Sequence, residues 1–348
     1  MSCRYLKIED FCSTGSGGTP SRSKPEYYEG GDIPWIKSGD LKDSKIYEAN
    51  EYITAAGLEN SSAKIVEKDS ILIAMYGATV GRLAILGINA ATNQAICNIR
   101  PDTTIADMKY LYYFLKSKFS YFVENAVGGA QPNISQGLIK SLEVPLPSLD
   151  EQKRIADILD KAAGVCQKRE QAIKLADDFL RAKFLEMFGT PANNIHRFPK
   201  GTIRDLVDSV NYGTSAKASI DSGEYPILRM GNITYQGRWD FTDLKYLDLS
   251  VKEKDKYLVK EGDLLFNRTN SKELVGKTAV YEEDRPMAFA GYLIRVRPNS
   301  IGNNYYISGY LNSIHGKITL MNMCKSIVGM ANINAQELQN IEILIPPK

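Results

Sequence analysis

The chain holds only two histidines, His196 and His315, and neither stands where a nucleophile and its base could be paired. His196 lies in a connecting stretch, and His315 sits among Ser313, Gly316 and Lys317 on a helical stretch. Lone histidines of this kind are surface or structural residues far more often than catalytic bases. The cysteines Cys3, Cys12, Cys97, Cys166 and Cys324 are odd in number, scattered, and form no Cys-x-x-Cys. That argues for reduced cytosolic thiols and against a disulfide framework or a zinc site. Gly15-Ser16-Gly17-Gly18-Thr19-Pro20 has the look of a phosphate loop but lacks the Gly-Lys-Ser/Thr ending. Pro20 also disfavours the helix N-terminus that would supply anion-binding amides. Gly77-Ala78-Thr79-Val80-Gly81-Arg82 falls between two strand-like runs, whereas a dinucleotide fingerprint needs a helix next. No metal-ligand cluster, Asn-Pro-Pro-Tyr methyltransferase motif or nuclease-like acidic cluster is apparent in the sequence. An enzyme reading is weak, and no metal site is expected.

The same loops make better sense as binding loops. Around Ser13–Lys24, Gly, Ser and Thr19 are mixed with Arg22 and Lys24: small residues allow a close approach of the backbone, and the cations meet phosphate. Trp35, Lys37 and Ser38 follow, then Tyr76, Thr79 and Arg82, with the amides Asn93, Gln94, Gln131 and Asn133. The second half offers Tyr212, Lys217, Arg229, Asn232, Asn267, Arg268, Thr269, Lys277 and Asn332. Amides pair bidentately with an adenine edge, and arginines with guanine or phosphate. These residues are the candidate DNA-binding set; the alternative is that they are ordinary solvated turns.

What positions them is a frame written twice. Ile33-Pro34-Trp35-Ile36-Lys37-Ser38-Gly39-Asp40 returns as Tyr225-Pro226-Ile227-Leu228-Arg229-Met230-Gly231-Asn232, and Val66–Ile73 returns as Val259–Phe266. Asn98-Ile99-Arg100-Pro101 returns as Arg295-Val296-Arg297-Pro298, and Gln131–Ser135 with Leu142–Pro147 as Met330–Asn334 with Ile341–Pro347. By this spacing Tyr76-Gly77-Ala78-Thr79 with Arg82 corresponds to Asn267-Arg268-Thr269-Asn270 with Lys277. A period of about 190 residues is the size of a domain and too long for a solenoid unit. A shared frame with different polar tips suits two readers of two different sequences.

At 348 residues, 43% hydrophobic and 24% charged, the chain reads as a soluble globular protein with two domains and a connector. No apolar run approaches the roughly 20 residues of a membrane span, and the start MSCRYLKIEDF carries no signal-peptide core. The net charge of +2 means that nucleic-acid contact must come from local patches or a more basic partner. Strands are expected at Ile71–Met75, Leu83–Leu86, Ala95–Ile99 and Leu142–Leu146, and again near Tyr225–Met230, Asp263–Phe266, Thr278–Tyr281, Leu293–Val296 and Ile341–Ile345. Helices are expected over Ile105–Val127, with Tyr110, Tyr113, Phe114, Tyr121 and Phe122 mainly core, and over Asn304–Met321.

From Ser148 to about Phe188 there is no proline and one glycine, Gly164. Ser148 with Glu151 predicts a capping box, and Gly189-Thr190-Pro191 a stop. Ile155, Ile158, Ala162, Val165, Ala172, Ala176, Phe179 and Phe184 recur at a 3–4 spacing broken by Arg169. Some forty residues make a rod of about 60 Å, too long to bury its seam on its own domains, so this face wants a partner helix. The competing reading is a single helix lying across one domain. The expected boundaries are residues 1–147, 148–190 and 191–348.

On Pro145-Leu146-Pro147-Ser148-Leu149-Asp150-Glu151-Gln152-Lys153-Arg154-Ile155-Ala156 with Leu159-Asp160, Glu186-Met187-Phe188-Gly189, the Tyr76–Gly81 block and Gln131–Ile134, the chain resembles the specificity subunit (HsdS) of type I restriction–modification systems, over essentially its whole length. The resemblance implies an α+β fold: two similar target recognition domains, each a mixed α/β-sheet globule, joined by a long coiled-coil-type spacer helix. It implies a non-catalytic reader of double-stranded DNA, each half gripping one part of a split site in the major groove. Two methyltransferase subunits (HsdM), which bind S-adenosylmethionine, would dock along the rod, and the motor-nuclease subunit (HsdR), which uses ATP and magnesium, would join them. No cofactor is implied in this chain itself, and the bacterial or archaeal cytoplasm is the expected location. In that family a second helical region usually pairs with the central one; here no second C-terminal spacer helix follows Ile341–Pro347. The seam would then be left for a second copy of the chain, and a helix appended after Lys348 is expected to raise stability. The competing function is a coiled-coil adaptor whose duplicated heads bind peptides, which would show no salt-dependent DNA affinity.

Overall fold

The computed structural model describes residues 4–129, 131–327 and 330–347; Cys3 and Lys348 lie outside them. The chain divides into two compact units, Met1–Lys168 and Arg169–Lys348, and the division falls inside one continuous helix, Leu149–Phe188. Each unit is a mixture of sheets and helices.

In the first unit, Arg4–Lys7 pairs antiparallel with Glu143–Leu146. A five-stranded sheet runs in the order Cys12–Ser16, Ile96–Pro101, Ile71–Ala74, Leu83–Leu86, Lys45–Ile46, and a four-stranded sheet in the order Glu51–Ile53, Ile33–Ile36, Ala90–Thr92, Ile65–Val66. The second unit writes the same plan. Lys200–Thr202 pairs with Glu342–Leu344, and Val207–Tyr212, Leu293–Pro298, Leu264–Asn267 and Thr278–Val280 form one sheet. Lys245–Leu247, Tyr225–Leu228, Met287–Phe289 and Leu258–Val259 form another. A further sheet, Thr269–Asn270, Met330–Asn332 and Lys325–Ile327, is particular to this unit's described residues.

The apolar runs explain why these strands are central. In Ile71–Ala74 every residue is buried, yet period-2 alternation sends Ile71 and Ile73 into one core cluster and Leu72 and Ala74 into another. Leu264 and Phe266 likewise face one core and Leu265 the other. The turn entering each strand uses a left-handed residue at the same repeat position, Asp69 (φ 64°) and Gly262 (φ 84°).

The helices expected over Ile105–Val127 and Asn304–Met321 are each broken in two. Met108–Ser117 and Phe119–Glu124 are separated at Lys118, where φ −94° and ψ 11° leave the helical region. Asn304–Asn312 and Ile314–Met323 are separated at Ser313, which is extended and whose hydroxyl caps Gly316 N–H at 3.1 Å. Apolar spacing continues across both breaks, so periodicity could not see them. Of the aromatic stripe, Tyr110 and Phe122 are buried in the first core, and Tyr113, Phe114 and Tyr121 pack against it.

The long helix opens with Ser148 Oγ accepting Glu151 N–H at 3.4 Å, which is half of the expected capping box. The other half is missing because Glu151 gives both carboxylate oxygens to Arg154. Gln152, in the next turn, is fully buried. Its Oε1 accepts Asp107 N–H at 2.8 Å, and its Nε2 donates to Ile105 O at 3.1 Å and Pro147 O at 2.9 Å. The helix ends at Phe188; Gly189 (φ +69°) then donates to Leu185 O at 2.8 Å, the left-handed cap that glycine supplies.

Candidate nucleic-acid interface

The glycines of the first loop serve the chain itself. A Cβ on Gly17 would lie 1.9 Å from Thr92 O, and one on Gly18 would meet Ser62 and Ala63. At both positions the space beside the glycine is filled by this chain itself, by strand residue Thr92 and by Ser62 and Ala63 at a bend. From Gly18 onward the loop is stapled by aromatics. Trp35 Nε1 donates to Gly18 O at 3.1 Å, and Tyr28 Oη donates to Pro20 O at 2.6 Å. Arg22 stacks over the Tyr28 ring at 4.3 Å and the Trp35 ring at 5.1 Å. Its guanidinium pairs with Glu51 at 2.5 Å, and Lys37 takes the other oxygen of the same carboxylate. Those two bonds, Lys37's first, outweigh burial and hold the Glu51 carboxyl below the usual range. Thr19 bonds Gln94, and exposed Lys24 donates to Tyr27 Oη at 3.0 Å, which raises the lysine's pKa. Arg22, Lys37, Thr19 and Gln94 thus come together around an aromatic pair.

A second group forms where Val127 and residues 131–134 close on the turn after Ile71–Ala74. Tyr76 and Val127 bridge to Asn133, and Gly77 N–H donates to Pro132 O at 2.7 Å. Exposed Tyr76 and Arg82 and half-buried Thr79 share this turn with exposed Gln131 and Asn133. Ser38 is half-buried in a short turn, and Asn93 is half-buried with its Oδ1 enclosed and unpaired.

In the second unit four candidates converge. Arg268 stacks on Tyr212 at 4.8 Å and donates to Asn332 Oδ1 at 3.3 Å, while Asn332 Nδ2 donates to Thr269 Oγ1 at 2.7 Å. Tyr212 Oη accepts Ala335 N–H at 2.9 Å. Arg229 donates to Asp243 twice, to its backbone and to its carboxylate, each at 2.8 Å. Lys217 is exposed.

Five candidates are buried and cannot present themselves to a ligand as expected. Trp35 is core, with only its N–H spent on the loop. Asn232 caps its own turn, its Oδ1 accepting Arg229 N–H at 2.8 Å and its Nδ2 donating to Asp240 O and Asp243 O. Asp40 does the same for Lys37 N–H at 2.8 Å, so this pair of repeat positions belongs to the frame. Asn267 is fully buried, and Thr269 is nearly so. Lys277 donates to Met230 O at 2.8 Å and to Ile233 O, and burial pulls its pKa down.

The backbone also corrects the repeat correspondence by two residues. Ala74 N–H bonds Arg82 O as Asn267 N–H bonds Lys277 O, and Ile134 N–H bonds Met75 O as Ile333 N–H bonds Arg268 O. Tyr76 therefore matches Thr269, and Arg268 matches buried Met75. The same frame carries a methionine in one half and a half-buried arginine in the other. Sequence reading missed Tyr28, Glu51, Asp243 and Gln152. Glu51 was findable only through the register that sets it opposite Trp35.

Along the long helix, Ile158, Ala162, Val165, Ala172, Ala176 and Phe179 are exposed, as are Ile173, Leu175, Leu180 and Met187. The two ends of the expected seam are corrected. Ile155 packs on the first core, and Phe184 stacks on Tyr306 at 5.7 Å with its ring against Gly309. Among the described residues no helix is long and apolar enough to cross a membrane, and no group of His, Cys, Asp and Glu could hold a metal ion.

The chain is a member of the type I restriction modification DNA specificity domain family, whose family model matches residues 4–175 and 198–348. Among its relatives, the EcoKI specificity subunit of Escherichia coli K12 is 24% identical over 339 residues, covering 90% of this chain and 72% of that protein. The EcoR124I/EcoR124II specificity subunit of Escherichia coli is 33% identical over 150 residues (42% of this chain, 37% of that protein). The MjaIX specificity subunit of Methanocaldococcus jannaschii is 33% identical over 187 residues (52% and 42%). The chain thus spans less than half the length of these last two. Among solved structures, the type I restriction–modification S subunit from M. genitalium matches 99% of this chain and 84% of that one at 15% identity and TM-score 0.53. A chain from a study of assembly and conformational transition in a type I system matches 99% and 86% at 18% identity and TM-score 0.54. At these identities the likeness is one of fold.

Proposed function

We propose that this chain is the DNA-reading specificity subunit of a type I restriction–modification complex and performs no chemistry itself. Each unit reads one half of a bipartite site, with residues 1–147 and 191–348 as the recognition domains and 148–190 as the spacer. The observation that carries the reading is the duplicated frame with unlike side chains at matched positions: Lys37 and Arg229 at one, buried Met75 and half-buried Arg268 at another. Phosphate contacts orient a protein on DNA, and side chains at base edges supply sequence. Partners would be two methyltransferase subunits (HsdM), carrying S-adenosylmethionine, against the exposed apolar face of the long helix, and a motor-nuclease subunit (HsdR) using ATP and magnesium. A bacterial or archaeal cytoplasm is the compartment for such an assembly. Methylome sequencing of cells carrying the whole system tests this. Exchanging residues 1–147 for another member's should change one half of the methylated site and leave the other; a change in both halves, or in neither, refutes it.

A further inference from the structure

A surface built only to attract phosphate would leave its cations free, yet Arg22 and Lys37 share a carboxylate. Glu51 lies directly across the strand pair from Trp35. Oε2 takes Arg22 at 2.5 Å and Oε1 takes Lys37. Arg22 is held from its other side by the Tyr28 and Trp35 rings, and those rings are tied to the loop through Pro20 O and Gly18 O. The result is a closed circuit of loop, aromatics, cations and acid, with the Glu51 side chain 31% exposed and Arg22 54% exposed. Its formal charge is +1, where the two cations alone would make +2.

The second unit shows that the acid is not part of the common frame. Pro34 pairs with Tyr52 as Pro226 pairs with Tyr246, so the residue matching Glu51 is Lys245. At this position the halves carry opposite charges on the same strand, which is how a position that separates two specificities differs.

We infer that Glu51 is a specificity-determining positioning residue: it fixes the directions of Arg22 and Lys37 and withholds one positive charge from the nucleic-acid backbone, so that the first unit selects among sequences. This rests on the DNA-reading function proposed above. A cation locked into a planar pair contacts a ligand in one geometry, whereas a free one follows any phosphate.

The test is the salt dependence of duplex binding by the full chain, together with sequence enrichment from a randomised duplex pool. Glu51→Gln is expected to bind unselected duplex more tightly at low salt. The slope of log affinity against log salt should steepen by about 0.9, an extra loss of roughly threefold over a fourfold rise in salt. Enrichment of preferred sequences should fall. Lys37→Met, which leaves the Arg22–Glu51 pair, should flatten the slope by about the same amount. In a Trp239→Phe background, Trp35 emission reports whether the cluster stays folded in each variant. An unchanged or flatter slope in Glu51→Gln, or undiminished enrichment, overturns the inference, as does an unchanged slope in Lys37→Met. Failure of the wild-type chain to bind duplex with any salt dependence would instead remove the DNA-reading function itself.

Discussion

Gln152 offers the sharpest test of how the long helix is joined to the first unit. Replacing it by methionine keeps the volume near constant and deletes three bonds: that to Asp107 N–H at 2.8 Å and those to Ile105 O and Pro147 O at 3.1 and 2.9 Å. The site is fully buried, so water cannot replace them. At about 1 kcal/mol net for each of the three bonds, with a further 1–3 kcal/mol for leaving the Asp107 amide unpaired, the loss should be roughly 4–6 kcal/mol. That is a large share of a typical domain's 5–15 kcal/mol. The chain has two tryptophans, one per unit, so Trp35 in a Trp239→Phe background reports the first unit alone. A urea titration followed by Trp35 emission should show the midpoint fall sharply for Gln152→Met. Gln167→Met, on an exposed stretch of the same helix within the first unit, should stay within about 0.5 kcal/mol. A loss below about 1 kcal/mol for Gln152→Met would refute the claim that this glutamine locks the helix to the fold.

Three further outcomes follow from the second unit. Gly276 has φ +77°, and a Cβ there would lie 2.6 Å from Leu320 Cδ1, so Gly276→Ala should cost about 1–3 kcal/mol, measured by Trp239 emission in urea. Lys317 is pushed down to about 8 by burial first and then by the charges of Arg181 and Lys277. Its folded pKa is below the unfolded one, so the unfolded state holds the extra proton. Stability of this unit should therefore rise with pH from about 8 until tyrosines begin to titrate near about 10. Lys277, whose pKa burial also lowers, adds to the rise, so in Lys317→Met it should shrink rather than vanish; an undiminished rise in urea midpoints would exclude Lys317 as a cause. Arg268→Ala, which strips the guanidinium from Tyr212 and Asn332, should weaken binding at one half-site by roughly 1–3 kcal/mol if it meets a base edge. A loss spread evenly over all duplexes would mark a phosphate contact instead.

The sequence alone determined the duplication, the central strands, the uninterrupted long helix and its glycine stop. These signals stand in the chain itself: an apolar run such as Ile71–Ala74, a proline-free stretch with the single glycine Gly164, and a glycine at its end, Gly189. Tertiary structure decided the partners. Asn232, Asn267 and Lys277 look like ligand-binding residues in sequence because their types suit DNA, but the fold spends them on its own carbonyls and core. A polar side chain facing inward and one facing outward carry the same letter, and only packing separates them. The same holds for Gln152 and Glu51, whose partners come from segments 45 and 29 residues away, beyond the reach of any periodicity. Strand register sets Glu51 opposite Trp35, and the Tyr28 and Trp35 rings bring Arg22 to it, because pairing and packing, rather than distance along the chain, set which side chains meet.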